Sequence, residues 1–329
     1  MSVLISFIII GRNEGRYIGK CFKSIYETIE YNNITSYEII YVDSNSSDNS
    51  IEVAKNFNGV KIYKLTNVYN AAIARNVGAD RSNGDILFFI DGDMEIIPEF
   101  LTKVLKNGKL VYPFISGNVI DHRYDEEGKY LYSVNHNLYI SKEDKYSILS
   151  GGIFLIERDL WLKVRGMDNN FRRSQDFDFS IKMSKYGFMQ KKLKEDIAFH
   201  HTIDYRDSNR MWKMLFDGDY AYLYGPIFRR YFFFLKFWKI MVKKSWSALF
   251  LFISIIYAFI YNDILFLFIY LILITIDIFR VSIKQKSNLV LGYCLSFLQR
   301  IILDVFSWFY FLFFYPSKID KNSIKVEEY

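Results

Sequence analysis

Asp91-Gly92-Asp93 puts two carboxylates one residue apart, directly after the apolar run Ile86 to Ile90. An unbroken run of β-forming residues reads as a strand buried on both faces, so both carboxylates emerge at its carboxyl end. In open α/β sheets that edge is where ligands bind. Two oxygen donors flanking a glycine can hold a hard divalent cation, Mg2+ or Mn2+, against a phosphate-bearing ligand. A strand that simply stops in an Asp-Gly turn has the same sequence. Asp43 follows a second buried run, Glu38 to Val42, and accepts hydrogen bonds as any carboxylate does. Asp176 and Asp178 lie in Ser174-Gln175-Asp176-Phe177-Asp178, at the expected start of a helix, where acidic residues also complement the helix dipole. His200-His201 follows Ile197-Ala198-Phe199, near another strand end, and neutral imidazole ligates Mn2+ better than Mg2+.

The elements that must position these groups alternate in type. Val3 to Ile10 is a first strand, followed by a polar turn and a helix in which Ile18, Cys21, Phe22, Ile25 and Ile29 recur at helical spacing. The second strand ends at Asp43, and the turn-rich loop Ser44 to Asn49 leads into a helix from Ser50 to Asn56. Val60 to Leu65 is a third strand and Ala71 to Ala79 a small-residue helix that feeds the strand Ile86 to Ile90. Right-handed crossovers set such strands parallel, with their carboxyl ends on one edge. Asp43, Asp91 and Asp93 are then expected to share a cleft in an α/β fold with a mainly parallel central sheet.

Composition divides the chain. Of its 329 residues, 51% are hydrophobic and 19% aromatic, and the excess of Phe and Tyr gathers after about residue 220. The formal charge is +6, with many late basic residues flanking apolar stretches, which favours an anionic membrane surface over nucleic acid as a partner. The only cysteines, Cys21 and Cys294, are too far apart in the chain for a disulfide framework or zinc site and point to a reducing compartment. No basic residue precedes Val3, so the first apolar run reads as a strand and not as a signal peptide.

Four blocks in order, Ile8-Ile9-Ile10-Gly11-Arg12-Asn13-Glu14, Tyr41-Val42-Asp43-Ser44-Asn45-Ser46-Ser47-Asp48, Ala74-Arg75-Asn76-Val77-Gly78 and Gly84 to Asp93, resemble the nucleotide-sugar half of family 2 inverting glycosyltransferases of GT-A fold. The resemblance continues through Ser150 to Ile156, Gly166 to Phe171 and Ser174 to Phe179, covering about the first two-thirds of the chain. It implies a nucleotide diphosphate sugar donor, UDP- or GDP-linked, with Asn13, Glu14, Asp43, Arg75 and Asp91 on the donor side. It implies a metal held by Asp91 and Asp93, with His200 as a further ligand, and Asp176 as the base that takes the proton from the attacking hydroxyl. The family usually has Glu-Asp at the last block, and here Gln175 replaces the Glu. An acceptor that is already a phosphate anion needs no base, and Asp176 would then position it. The late Gln-x-x-Arg-Trp block of processive members is absent; Asn209-Arg210-Met211-Trp212 stands nearby, which favours addition of a single sugar. Asp121-His122-Arg123-Tyr124 and His136 match no pattern, and the two histidines read as surface polar residues.

The C-terminal third reads as membrane-seeking. Residues 226–244 are expected to hold an amphipathic interfacial helix, its core Tyr231 to Lys244, with Lys236, Lys239, Lys243 and Lys244 on one side and aromatics on the other. In residues 245–329, Trp246 to Tyr261 and Ile264 to Phe279 form a helical hairpin, each arm short for a ~30 Å hydrocarbon core at ~1.5 Å per residue. Lys243, Lys244, Arg280, Lys284 and Lys286 flank the hairpin and its Asn262-Asp263 turn has no basic residue, so both ends are expected in the cytoplasm. Leu289 to Tyr315, interrupted by Gln299, Arg300 and Asp304, is either a third span or an interfacial segment. The resulting expectation is a catalytic domain over residues 1–225 on a multi-pass cytoplasmic-membrane anchor, facing the cytoplasm. It would move one sugar to a lipid-linked glycan or polyprenyl phosphate. Two rivals remain: a metal-dependent phosphohydrolase or phosphotransferase, against which Met94-Glu95-Ile96 stands where a small hydroxyl residue is expected, and a catalytically silent membrane scaffold.

Overall fold

The computed structural model describes residues 3–125, 127–136, 141–148, 151–203, 215–284 and 290–329. Four strands, β1 (Ile5–Gly11), β2 (Tyr37–Asp43), β3 (Val60–Leu65) and β4 (Ile86–Asp91), pair in parallel in the order β3-β2-β1-β4. Helices α1 (Ile18–Tyr31), α2 (Ser50–Lys55) and α3 (Ala71–Asp80) make the crossovers. Alternate residues of β1 face opposite layers: Phe7 and Ile9 pack with Ile18, Phe22 and Ile25, while Ile8 and Ile10 pack with Ala72, Ile73 and Ala74. The approach of α3 to the sheet depends on Gly78, where a Cβ would stand 2.3 Å from Ile8 Cγ2.

Beyond β4 the sheet is mixed, not mainly parallel. The chain turns at Asp91-Gly92-Asp93 into the short β5 (Met94–Ile96), then passes through α4 (Glu99–Val104) and a small hairpin of β6 (Leu105–Lys106) and β7 (Lys109–Leu110). The long β8 (Phe114–Tyr124) carries β9 (Tyr130–Asn135) antiparallel on it. After β10 (Lys145–Ser147), β11 (Phe154–Glu157) lies antiparallel between β4 and β8. A parallel neighbour of β4 would need a crossover helix, and between Asp91 and Phe154 the described residues hold only the six-residue α4. Helices α5 (Arg158–Lys163) and α6 (Gln175–Lys185) precede β12 (Gln190–Ile203), which is parallel to β8 and antiparallel to β5 and β10.

The chain divides into two compact units, Met1–Asp207 with Lys318–Tyr329, and Ser208–Ser317. The division falls at Asp207 where the sequence pattern places it at 225, and the last residues leave the expected membrane domain altogether. They return to the first unit, where β13 (Val326–Glu328) pairs antiparallel with β3 and covers that edge of the sheet. The segment Asn209 to Trp212 lies outside the described residues.

In the second unit a π-interrupted helix runs from Asp219 to Tyr231, with Pro226 inside its π-turn. The expected interfacial helix begins at Leu235 instead of Tyr231, because Phe234 is extended (φ −100°, ψ 105°) and breaks it from the preceding turn. Helices α7 (Leu235–Lys244), α8 (Trp246–Tyr261), α9 (Leu265–Lys284) and α10 (Val290–Phe313) follow. The polar residues inside α10 are not left in an apolar setting: Asp304 accepts hydrogen bonds from Ser247 and Tyr270, both at 2.9 Å, and Arg300 donates to Ser247 at 2.7 Å. One knot thus ties α8, α9 and α10. Within α10, Ser296–Phe313 is apolar and long enough to cross a membrane; Leu235–Lys243 and Trp246–Tyr261 pass that test only together and are bent by 99°. Much apolar surface here faces outward, with Phe259 91% exposed, which marks a membrane-associating unit.

Candidate functional site

The turn after β4 brings the chemistry together through strand pairing. Asp93 immediately precedes β5, which pairs antiparallel with β12 so that Met94 stands opposite His200. The backbone N–H of His201 donates to the Asp93 carbonyl at 2.8 Å, and His200 Nε2 lies 3.2 Å from Asp93 Oδ2. On the other side of β12, parallel pairing sets His200 opposite Asp121 of β8. Asp121 is fully buried, and its Oδ1 takes hydrogen bonds from His200 Nδ1 and from His136 Nδ1, each at 2.8 Å, while Oδ2 accepts from Arg123. Burial works against the Asp121 carboxylate, but the bonds from His136 and His200 outweigh it and hold the group well below the usual range. Asp121, His136 and His200 offer three ligand atoms within 4.8 Å of one another, a cluster able to hold a divalent metal.

Asp91 is managed from α3. Asn70 caps that helix by accepting from the Ile73 N–H at 2.9 Å, and Arg75, one turn on and 2% exposed, donates from Nη2 to Asp91 Oδ1 at 2.6 Å and to the Gly152 carbonyl at 3.2 Å. Gly152 is required there, since a Cβ would meet Asp91 Oδ2 at 2.1 Å. Burial pushes the Asp91 carboxyl up more than Arg75 draws it down, with Asp93 adding to the push. Glu14 closes the cluster: burial, and then the charges of Asp93, Asp91 and Asp48, push it up to about 9. A cation placed among these carboxylates relieves both effects. Asp93 Oδ1 is buried and has no hydrogen-bond partner among the described residues. An orphaned carboxylate oxygen beside an imidazole is the donor set a Mn2+ or Mg2+ ion takes, so the residues present fit the metal.

These groups line or border a cleft of about 710 Å3, within the range of small-molecule sites, with Arg12, Glu14, Ser44, Tyr69, Arg75, Asp91 and Asp93 in its walls. Arg12 stacks on the Tyr69 ring, 4.6 Å from its centre. Asp43 stands differently from the sequence expectation. It is fully buried, accepting from Tyr41 Oη at 2.9 Å and the Ser46 N–H at 2.8 Å, so it shapes the loop whose Ser44 lines the cleft. Asn13, at φ 60°, serves the same loop by accepting from the Ser47 N–H at 2.8 Å. Asp176 is half-buried in the first turn of α6, next to Gln175 in the cleft wall, and its charge bears on Asp91. Asp178 is buried.

Sequence reading missed Asp121 and His136 as site residues, and Arg12, Arg172 and Arg173 as cleft lining. The signal for the first pair was the strand run Asp121-His122-Arg123-Tyr124, whose period-2 alternation puts Asp121 and Arg123 on one face.

Residues 6–165 match the family described as Glycosyl transferase family 2. That stretch, just under half of the chain, is thus similar to the family 2 glycosyltransferases. The chain is 27% identical over 244 residues to "Glycosyltransferase GlyG" of Streptococcus pneumoniae serotype 4, covering 68% of this chain and 71% of that one. It is also 27% identical over 226 residues to a Methanococcus voltae protein named dolichyl N-acetyl-alpha-D-glucosaminyl phosphate 3-beta-D-2,3-diacetamido-2,3-dideoxy-beta-D-glucuronosyltransferase, covering 60% and 67%. Among solved structures, S. aureus TarS 1–349 aligns with a TM-score of 0.45 and 15% identity over 61% of this chain and 60% of that one, a likeness too weak to bear on the site.

The electrostatics predict a pH response. Burial disfavours charge on His200, but hydrogen bonds to Asp121 and Asp93 prevail and lift the imidazolium from 6.5 to about 10. The stability this contributes is fully present below pH 6.5 and is lost as pH rises through about 10. Glu14, raised from 4.5 to about 9, acts in the same sense, since the folded state binds a proton that the unfolded state has released. Thermal melts in chelator should therefore show Tm falling from about pH 6.5 to 10, and His200→Gln should flatten the upper part of that fall. An unchanged slope in His200→Gln would show that the ring is not held as a cation between the two carboxylates.

Proposed function

We propose that this protein is a metal-dependent, inverting glycosyltransferase that moves one sugar from a UDP- or GDP-sugar to an acceptor held at the membrane. The observation that carries the reading is the pair Asp91 and Asp93 at the carboxyl end of β4, with Asp93 Oδ2 at 3.2 Å from His200 Nε2 and its Oδ1 buried without a partner among the described residues. Family relationship supports the reaction class. The dolichyl-phosphate-linked acceptor in the name of the Methanococcus voltae relative supports an acceptor on a lipid carrier.

Transfer makes a bond from the acceptor oxygen to the anomeric carbon and breaks the bond to the diphosphate, which leaves with the negative charge. Asp93 and His200 Nε2 would hold Mn2+ or Mg2+, the ion taking the place of the Nε2 proton that His200 carries in its absence, and when bound it would supply charge stabilisation to that leaving group. Asp121, bonded to His200 Nδ1, fixes the ring so that Nε2 is presented to Asp93. Arg75 orients Asp91 through the 2.6 Å contact from Nη2 to Oδ1. Asp176 takes the proton of an attacking hydroxyl, or orients an acceptor that is already a phosphate anion. The rim arginines Arg12, Arg172 and Arg173 give the cleft a positive wall suited to phosphate groups.

Membrane seating follows from chain continuity. Residues 208–317 leave the first unit and return to it at Lys318, so the number of complete crossings they make is even. The flanking lysines and arginines favour the α8–α9 hairpin as the two crossings, with Asn262-Asp263 outside and the catalytic unit in the cytoplasm. α10 then packs against the hairpin through the Asp304 knot without adding a third crossing.

Asp93→Asn is expected to abolish Mn2+-dependent nucleotide-sugar turnover while leaving the melting temperature nearly unchanged; retained turnover would remove the metal clamp. Asp176→Asn should keep donor binding. It should lower kcat by about 10² to 10⁴ if a hydroxyl attacks, or raise mainly the acceptor KM if a phosphate does, and wild-type values of both constants would exclude Asp176 from either role. For topology, a cysteine at Asn262 should react with an impermeant maleimide on intact cells, and one at Asn322 in the tail should not. Labelling of Asn322 from outside would contradict the cytoplasmic placement, and it would contradict the even crossing number if a cysteine at Asn49 in the catalytic unit stayed unlabelled.

A further inference from the structure

The last residues of the chain do more than cover a sheet edge. Asn67, in the cleft wall, is held at both ends of its amide: Nδ2 donates to the Ser323 carbonyl at 2.6 Å, and Oδ1 accepts from the Lys325 N–H at 2.9 Å. The Thr66 N–H donates to the Lys325 carbonyl at 3.2 Å. Across the cleft entrance, the Ile319 N–H donates to Asn170 Oδ1 at 2.7 Å, two residues before Arg172. The loops so gripped are themselves joined: Asn70 Nδ2 donates to the Asn169 carbonyl at 2.8 Å, and Asn76 bonds Met167 and Asn169. Asn67, Val68, Tyr69 and Asn70 form one wall of the cleft, while Arg172, Arg173 and Gln175 form another. Ile319, Ile324 and Val326 pack on the hydrophobic layer beneath α3, which gives the tail its own seat.

We infer that residues Ile319 to Lys325 are a positioning strap for the donor pocket, setting the 66–70 wall and the 168–173 wall at the separation that a nucleotide diphosphate needs. This rests on the donor-binding reading of the cleft. The strap begins directly after the helical unit ends at Ser317, so the donor pocket is finished only by chain that has already passed through the membrane-associating segment. A merely structural role would belong to β13, which covers the β3 edge at Tyr63 to Leu65.

The two roles separate by deletion. Full-length protein in detergent and three variants are titrated with UDP and with GDP in the presence of Mn2+ by calorimetry: one ending at Lys325, one ending at Ser317, and Lys325→Pro, which removes the N–H that Asn67 Oδ1 accepts. The chain ending at Lys325 should bind nucleotide as wild type does even if its melting temperature falls. The chain ending at Ser317 should lose about tenfold or more in affinity, as the loss of one or two hydrogen bonds implies, and recover it with synthetic peptide 318–329 added in trans. Lys325→Pro should weaken binding severalfold with an unchanged melting temperature, and it decides the matter if the Ser317 truncation fails to fold. Wild-type affinity in Lys325→Pro and in the Ser317 truncation would overturn the strap while leaving the donor reading intact. If full-length protein binds neither nucleotide, the donor reading falls and the strap falls with it.

Discussion

Like charges crowded into a half-buried cleft set the terms for this structure. Glu14, Asp91 and Asp93 converge at the carboxyl end of the central strands, with Asp121 a step behind, in a place where burial alone raises the cost of every negative charge. Two cations answer that cost, the buried Arg75 at Asp91 and the half-buried His200 between Asp93 and Asp121. Each is delivered by a backbone arrangement that leaves little choice. Arg75 depends on the close seating of α3 that Gly78 allows, and His200 on a strand paired to both β5 and β8. What remains uncompensated is Asp93 Oδ1, and with it the chemical opening for a divalent ion.

Much of this was legible before any coordinates. The parallel half of the sheet follows from apolar runs separated by helical periodicity, and the expected strand Val60 to Leu65 and helix Trp246 to Tyr261 have those bounds in the structure. Helical periodicity and short buried strands are local signals. Pairing partners are not: that β11 would slot antiparallel between β4 and β8, or that β5 would bring Asp93 against His200, depends on contacts between residues far apart in the chain. For the same reason His136 passed as a surface polar residue and Asp121 was given no role, since nothing near them in the chain announces the imidazole that Asp121 supports. Asp43 shows the converse limit, a correctly placed strand end whose carboxylate turns inward to Tyr41 and Ser46 instead of toward the cleft.

The C-terminal third shows how composition and connectivity carry different information. Composition marks the apolar helices but is blind to the return of Lys318–Tyr329 to the first unit, because the tail is short, polar and exposed. That return joins both ends of Ser208–Ser317 to the first unit, a constraint that hydropathy does not carry. Within the helical unit, the Asp304 knot packs α10 on α8 and α9. The same return brings the end of the chain to Asn67 in the cleft wall.

The central claim is that the carboxylates after β4 hold a metal against a nucleotide diphosphate sugar. The most direct measurement offers the full-length protein in detergent a panel of UDP- and GDP-sugars with Mn2+ and follows slow hydrolysis to free nucleotide diphosphate. The account predicts that at least one donor is consumed, only with the metal present. It is contradicted if no nucleotide sugar is bound or hydrolysed while a simple phosphate ester is, which would assign the same aspartates to phosphoryl chemistry.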